Sequence, residues 1–155
     1  MTTIEKILSI ADDEEGYTET PPNSNKTKYG KWFGLDGLPW CGIFVSWVFS
    51  KAGVPLPKIG FEKGFASCQL ALDYFTKKKM VVIDPEPGDL VFYDWNNDNR
   101  FDHVGIVFWH GSRDITTVEG NTSLSSDRNG GSVMFRVRSL KLKMIFVRIL
   151  NDKTA

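Results

Sequence analysis

One thiol stands where a proline-ended loop runs into an apolar segment, in Leu38-Pro39-Trp40-Cys41-Gly42-Ile43-Phe44-Val45-Ser46-Trp47. If that segment is a helix, Cys41 lies at its N-terminus, where unpaired amide N–H groups and the positive end of the macrodipole favour thiolate over thiol. A thiolate nucleophile needs a base that draws its proton and returns one to a leaving amine, and a histidine titrating near neutrality does both. Two histidines compete for that role, His103 and His110. The runs His103 to Trp109 and Asp114 to Glu119 read as strands of a hairpin around Gly111. With the turn centred on Gly111, His103 faces Glu119, and directly opposed residues have Cβ atoms about 5 Å apart. A one-residue slip would send Glu119 to the other face. His110 falls in the turn with no acid opposite. Asn121 follows on the same side as Glu119 by period-two alternation, opposite Phe101. Taken singly, each residue has an ordinary structural reading, a free cysteine being a small core residue. Taken together, Cys41, His103 and Glu119 supply a nucleophile, a base and an acid that orients the base.

The composition sets limits on what such a site can serve. At 155 residues the chain is one domain, able to bury roughly two-thirds of its unfolded surface without staples. Nineteen basic and nineteen acidic residues cancel, so nothing global draws it to nucleic acid or an anionic membrane. Only Cys41 and Cys68 are present, too few for a disulfide framework, although one bridge between them stays open. The Met1-Thr2-Thr3-Ile4-Glu5-Lys6 start has no basic stretch and long apolar run of a signal peptide, and no window approaches a membrane span. The expectation is a product made in the cytoplasm, wherever it later acts.

The elements that must position these residues follow from periodicity. Thr2-x-x-Glu5 is a capping box ahead of Ile4, Ile7, Leu8 and Ala11 at helical spacing. Residues 16–39 are polar and rich in Pro and Gly, which predicts a long loop; its Tyr17, Tyr29, Trp32 and Phe33 place it as an ordered wall beside the Cys41 segment. The Cys41 helix runs to about Ala52, with Gly53 as a stop and Pro55 barring continuation. A third helix is predicted from about Phe61 to Phe75, with Cys68 packed inside it and Lys77-Lys78-Lys79 as its solvated end. After Pro87-Gly88 the pattern turns to short β-branched and aromatic runs: Asp89 to Tyr93, His103 to Trp109, Asp114 to Glu119, Ser132 to Arg138 and Lys143 to Leu150. Helices followed by hairpin-linked strands predict an α+β fold, with helices against a curled antiparallel sheet of five to six strands.

Ahead of His103, Asp94, Asn96, Asp98 and Asp102 put oxygen side chains at positions equivalent to 1, 3, 5 and 9 of an EF-hand-type loop, which makes them candidate calcium ligands. Asn99 and Gly105 depart from that pattern, and the competing reading is a polar turn. The chemistry itself requires no cofactor, and the cysteines and histidines show no zinc spacing.

Pro39-Trp40-Cys41-Gly42-Ile43-Phe44-Val45-Ser46-Trp47, Pro87-Gly88-Asp89-Leu90-Val91-Phe92-Tyr93, Asp102-His103-Val104-Gly105-Ile106-Val107 and Val118-Glu119-Gly120-Asn121-Thr122 together resemble the CHAP family of cysteine amidases and peptidases. The match runs from about residue 12 to about residue 150, in the family's motif order. The resemblance implies a papain-like fold and hydrolysis of an amide bond in the peptidoglycan of a Gram-positive bacterium, as in the catalytic domains of bacteriophage endolysins that leave the host through a holin pore. By the same resemblance the nucleophile is Cys41, the base His103, the orienting acid Glu119 and the fourth polar residue Asn121, and calcium use among CHAP lysins adds weight to the Asp94 loop. The Cys41 backbone amide is the candidate oxyanion donor. Trp40 and Tyr29, with Trp32 and Trp109, are candidates for a substrate groove, the core being the competing place for each. No attached wall-binding module is visible in residues 1–155. The rival expectations are a catalytically silent wall-binding or assembly module of the same fold, and a cysteine hydrolase of another amide.

Overall fold

In the computed structural model, which describes residues 1–123, 126 and 129–151, helices precede strands. The described residues form α1 (Thr3–Asp13), α2 (Lys28–Phe33), α3 (Cys41–Lys51) and α4 (Cys68–Lys77). They are followed by β1 (Val81–Val82), β2 (Leu90–Tyr93), β3 (His103–His110), β4 (Asp114–Thr122), β5 (Ser132–Ser139) and β6 (Met144–Val147). The strands make one open antiparallel sheet in the order β1-β6-β2-β3-β4-β5, so the α+β, papain-like arrangement holds.

Local chemistry sets most helix ends. The Thr2–Glu5 capping box closes in both directions, and Ile7 and Ala11 carry α1 into the core. α3 is buried from Cys41 to Ser46 and again at Val48 and Phe49, as its all-round apolar sequence requires. Two expectations are corrected. The segment 16–39 is not loop throughout: Thr27 accepts from the Gly30 amide and starts α2, and Gly34, at φ 86°, ends it. The helix expected from Phe61 begins only at Cys68, because Ser67 caps it and Gly64, at φ 133°, holds a non-helical backbone. Ser46 fixes that non-helical stretch against α3: its hydroxyl donates to the Gly42 carbonyl at 2.9 Å and accepts from the Phe65 amide at 3.2 Å.

The sheet buries both faces. Leu90, Phe92, Val104, Ile106 and Val118 join the main core with α3, while Val91, Tyr93, Val107, Ile115 and Phe146 form a second cluster on the alternate face. α3 packs on β3 and β4, and the approach is close at Gly120. A Cβ there would lie 2.8 Å from the Phe44 Cβ and 3.0 Å from Trp40, so only glycine lets β4 pass under α3. Gly120→Ala is expected to destabilise the fold by about 1–3 kcal/mol through overpacking, read as a lower urea midpoint at unchanged slope.

Candidate active site

The N-terminus of α3 meets β3 at its first residues. Cys41 opens the helix, its N-cap Trp40 offers no capping side chain, and the first-turn amides therefore keep their polarity toward the thiol. On β3, Val104 and Ile106 face the helices, so alternation puts His103 on the other face, beside Tyr93 and Trp95. His103 Nε2 lies 2.8 Å from Glu119 Oε1. Nδ1 closes no hydrogen bond of its own and is the ring atom left for Cys41. His103 and Glu119 are fully buried, and Cys41 is 3% exposed.

The carboxylate reaches the imidazole by a different route from the one the hairpin suggested. Ile106 pairs with Val118 and Val107 with Thr117, and a bulge at Phe108 shifts the register before Trp109 meets Thr116. Continued toward the strand ends, that pairing sets Glu119 opposite Gly105, two residues from the expected partner and on the same face. Its side chain crosses the space a Cβ of Gly105 would fill, 2.7 Å from Glu119 Cγ, and so reaches His103 diagonally. Three further donors converge on the carboxylate. Tyr93 Oη donates at 2.8 Å, Thr117 Oγ1 at 2.6 Å and Arg138 Nε at 3.1 Å, with Arg138 also bonding Oε1 through its terminal nitrogen. The guanidinium lies over the Tyr93 and Trp95 rings.

These contacts set the charges. Burial opposes ionisation of His103, but the Glu119 charge and the Cys41 thiol outweigh it and raise its pKa to about 9. Burial also opposes the Glu119 carboxylate, yet His103 and Arg138 hold its pKa down to about 2. The hydrogen bond between the Cys68 and Cys41 sulfurs, the hydrogen bond and charge of His103 and the Val104 amide lower the Cys41 pKa well below an ordinary thiol, against burial. The arrangement favours thiolate beside imidazolium, poised for attack on a carbonyl and protonation of the leaving group.

Other expected residues sit elsewhere. His110 is exposed at the far end of β3. Asn121 is buried but does not continue the alternation: at φ 56°, within a second register shift, its Oδ1 accepts from the Gly131 amide and its Nδ2 donates to Asn129. It thus secures the connection between β4 and β5 rather than the imidazole. Trp40 and Tyr29 do not line a groove; both are fully buried and stacked, with Trp40 Nε1 donating to Glu19 and Tyr29 Oη to Glu14. In the Asp94 loop, Asp94 accepts from the amides of Asp98 and Asn99, and Lys143 Nζ pairs with it at 3.2 Å while also bonding Asn99. A resident ammonium thus stands at the carboxylate. No three acidic, histidine or cysteine side chains gather as a metal set among the described residues. Cys68, expected as packing, lies with its sulfur 3.7 Å from that of Cys41, both thiols free. Cys68, Tyr93 and Arg138 gave no local signal, because each reaches the site through tertiary pairing, whereas Thr117 lies two residues from Glu119 on the same strand.

Gly105→Ala is expected to push Glu119 off His103, since the new methyl would occupy the path of its side chain. Imidazole NMR titration should show the His103 pKa falling from about 9, and misplacement on the 1 Å scale lowers turnover by about 10²-fold.

No curated protein matches the sequence. Among solved structures, Ly7917 is similar at a TM-score of 0.56 and 13% identity, over 94% of this chain and 62% of that one. Ly7917 with the hydrolyzing product of MDP gives a TM-score of 0.50 at 12% identity, over 93% and 62%. A protein described as similar to a lipoprotein of the NLP/P60 family, from Staphylococcus aureus subsp. aureus Mu50, gives 0.52 at 15% identity, over 97% and 42%. The chain thus spans less than two-thirds of the length of these proteins, and the likeness is one of fold. The CHAP domain profile matches residues 33–121, more than half of the chain and the stretch that carries Cys41, His103 and Glu119, so the chain belongs to the CHAP domain family.

Proposed function

We propose that this protein is a cysteine-dependent peptidoglycan hydrolase that cleaves an amide bond of a Gram-positive cell wall through a thioester intermediate. The observation that carries the reading is the buried thiol–imidazole–carboxylate set, in which Cys41 is shifted toward thiolate and His103 toward imidazolium. The family membership supplies the substrate class.

In this reading Cys41 Sγ attacks the carbonyl carbon, and the negative oxygen of the tetrahedral intermediate is met by the Cys41 amide at the uncapped start of α3. His103 Nδ1 gives its proton to the leaving amine, which departs and leaves the acyl group on sulfur as a thioester. The neutral ring then takes a proton from water as that water attacks the thioester, the acid leaves, and the thiolate–imidazolium pair is restored. Glu119 holds Nε2 throughout, so the ring keeps one orientation and one tautomer. Substrate approaches through the groove lined by Asn25, Pro39, Asp102 and Asn129, whose wall includes the residue before His103 and the proline two before Cys41.

Purified Gram-positive walls test the proposal. Wild type is expected to release soluble fragments and free amines or muramoyl products, while Cys41→Ala loses at least about 10³-fold in rate with an unchanged melting curve. Equal release by the two proteins would sink the reading. The rate should rise with pH as Cys41 ionises below the ordinary thiol range and fall as His103 deprotonates near pH 9, the two limbs belonging to the coupled pair. A chelator is expected to leave rate and melting temperature unchanged, because Lys143 already balances Asp94; a loss restored by added calcium would instead show the ion displacing that lysine.

A further inference from the structure

A second buried thiol touches the nucleophile and has no place in the steps above. Cys68 is the first residue of α4, 5% exposed, with its sulfur 3.7 Å from Cys41 Sγ. Its position is fixed from two sides. Ser67 caps α4 by accepting from the Leu70 amide at 3.3 Å, and Ser46 of α3 ties the preceding Phe65 backbone to the helix that carries Cys41. Gly64, whose added Cβ would fall 2.4 Å from Ser46 Oγ, lets that tie close. Downstream, the Gln69 carboxamide accepts from the Phe101 amide at 2.8 Å, linking α4 to the stretch that leads into His103. Two helix starts, one strand start and two thiols therefore share one small buried volume.

We propose that Cys68 is a positioning residue for the nucleophile: its S–H donates a hydrogen bond to the Cys41 thiolate, steadying the anion and fixing the direction in which it points. The assignment rests on the cysteine-hydrolase reading for its use, but its own chemistry is that of the thiol pair. The groups that face the pair are His103 and the Val104 amide from β3, and Asp102, whose negative charge bears on Cys68. They act on the two sulfurs in opposite senses. His103 and Val104 favour the anion on Cys41, whereas the Cys41 charge, burial and Asp102 keep the proton on Cys68, whose pKa is raised well above the ordinary thiol value. One sulfur is thus an acceptor and the other a donor, and Cys68 is not a spare nucleophile. A packing role alone would need no hydrogen on that sulfur.

The test is the pH dependence of Cys41 alkylation by iodoacetamide, resolved from Cys68 by peptide mass spectrometry, in wild type, Cys68→Ser and Cys68→Ala. Cys68→Ala removes the donor and is expected to move the acid limb of Cys41 alkylation up by about one pH unit, a ~10-fold loss of thiolate on that limb. Cys68→Ser keeps an O–H donor and should stay near wild type. Superimposed limbs for Cys68→Ala and wild type, with native melting curves, would overturn the assignment, as would a Cys68→Ser limb shifted as far as that of Cys68→Ala. If Cys68→Ala does not fold, the ultraviolet absorbance of thiolate in Cys41→Ala decides: Cys68 must stay protonated across the range where wild type carries a thiolate. The readout needs no substrate. A shifted limb with walls untouched would reject the wall-hydrolase reading and keep Cys68 in its role, while wall hydrolysis with an unshifted limb would do the reverse.

Discussion

One buried carboxylate ties the middle of this molecule together. Glu119 of β4 takes hydrogen bonds from Tyr93 of β2, His103 of β3, Thr117 of its own strand and Arg138 of β5. The charge is not left bare: a guanidinium and an imidazole stand against it in a setting where an unpaired ion is costly by several kcal/mol. Four strands must therefore be in register before the carboxylate is satisfied, and only in that register does the imidazole have a fixed orientation. Arg138 also keeps the acid from belonging wholly to His103. The ring is charged by a partner whose field is already shared, which tempers its hold on its proton.

Glycine makes the two approaches on which this depends. At Gly105 the absent side chain is the corridor through which Glu119 reaches His103, and at Gly120, one residue from Glu119, it is the clearance that brings α3 down onto β4. Adjacent positions on β4 thus serve opposite faces of the sheet, the acid on one and the helix contact on the other. The helix-face contact sets where α3 starts relative to β3, and the acid-face contact sets where the ring points. Cys41 meets His103 only where these two placements agree.

The sequence made some of this legible. The proline-ended loop before an apolar run located α3 and its first residue, and the Thr2–Glu5 box located α1, because both signals are local. The hairpin turns beyond Gly111, with His110 paired to Ile115, and the one-residue bulge at Phe108 takes one place back, so the net displacement is two residues and alternation preserved the shared face of His103 and Glu119. Asn121 was misplaced because its left-handed backbone breaks the period that was extrapolated through it. Tyr29 and Trp40 illustrate a different limit: an aromatic residue near a nucleophile looks the same in sequence whether it faces substrate or core, and here Glu14 and Glu19 satisfy their polar atoms inside. Arg138 and Cys68 were invisible as site residues, since strand order and the Ser46 tie, not spacing, bring them in.

Cys41 and His103 belong to different layers, one to a helix tip and the other to a strand start, with the second thiol on another helix tip. Each element can form its own backbone hydrogen bonds without the others. The shift of Cys41 toward thiolate is lost in such a loosened state, because the His103 charge that favours it arrives only when helix and sheet dock. The acidity of Cys41 is therefore a built-in gauge of tertiary packing: a chain that keeps its secondary structure but lets the layers drift apart, as in a molten globule, would carry two ordinary thiols.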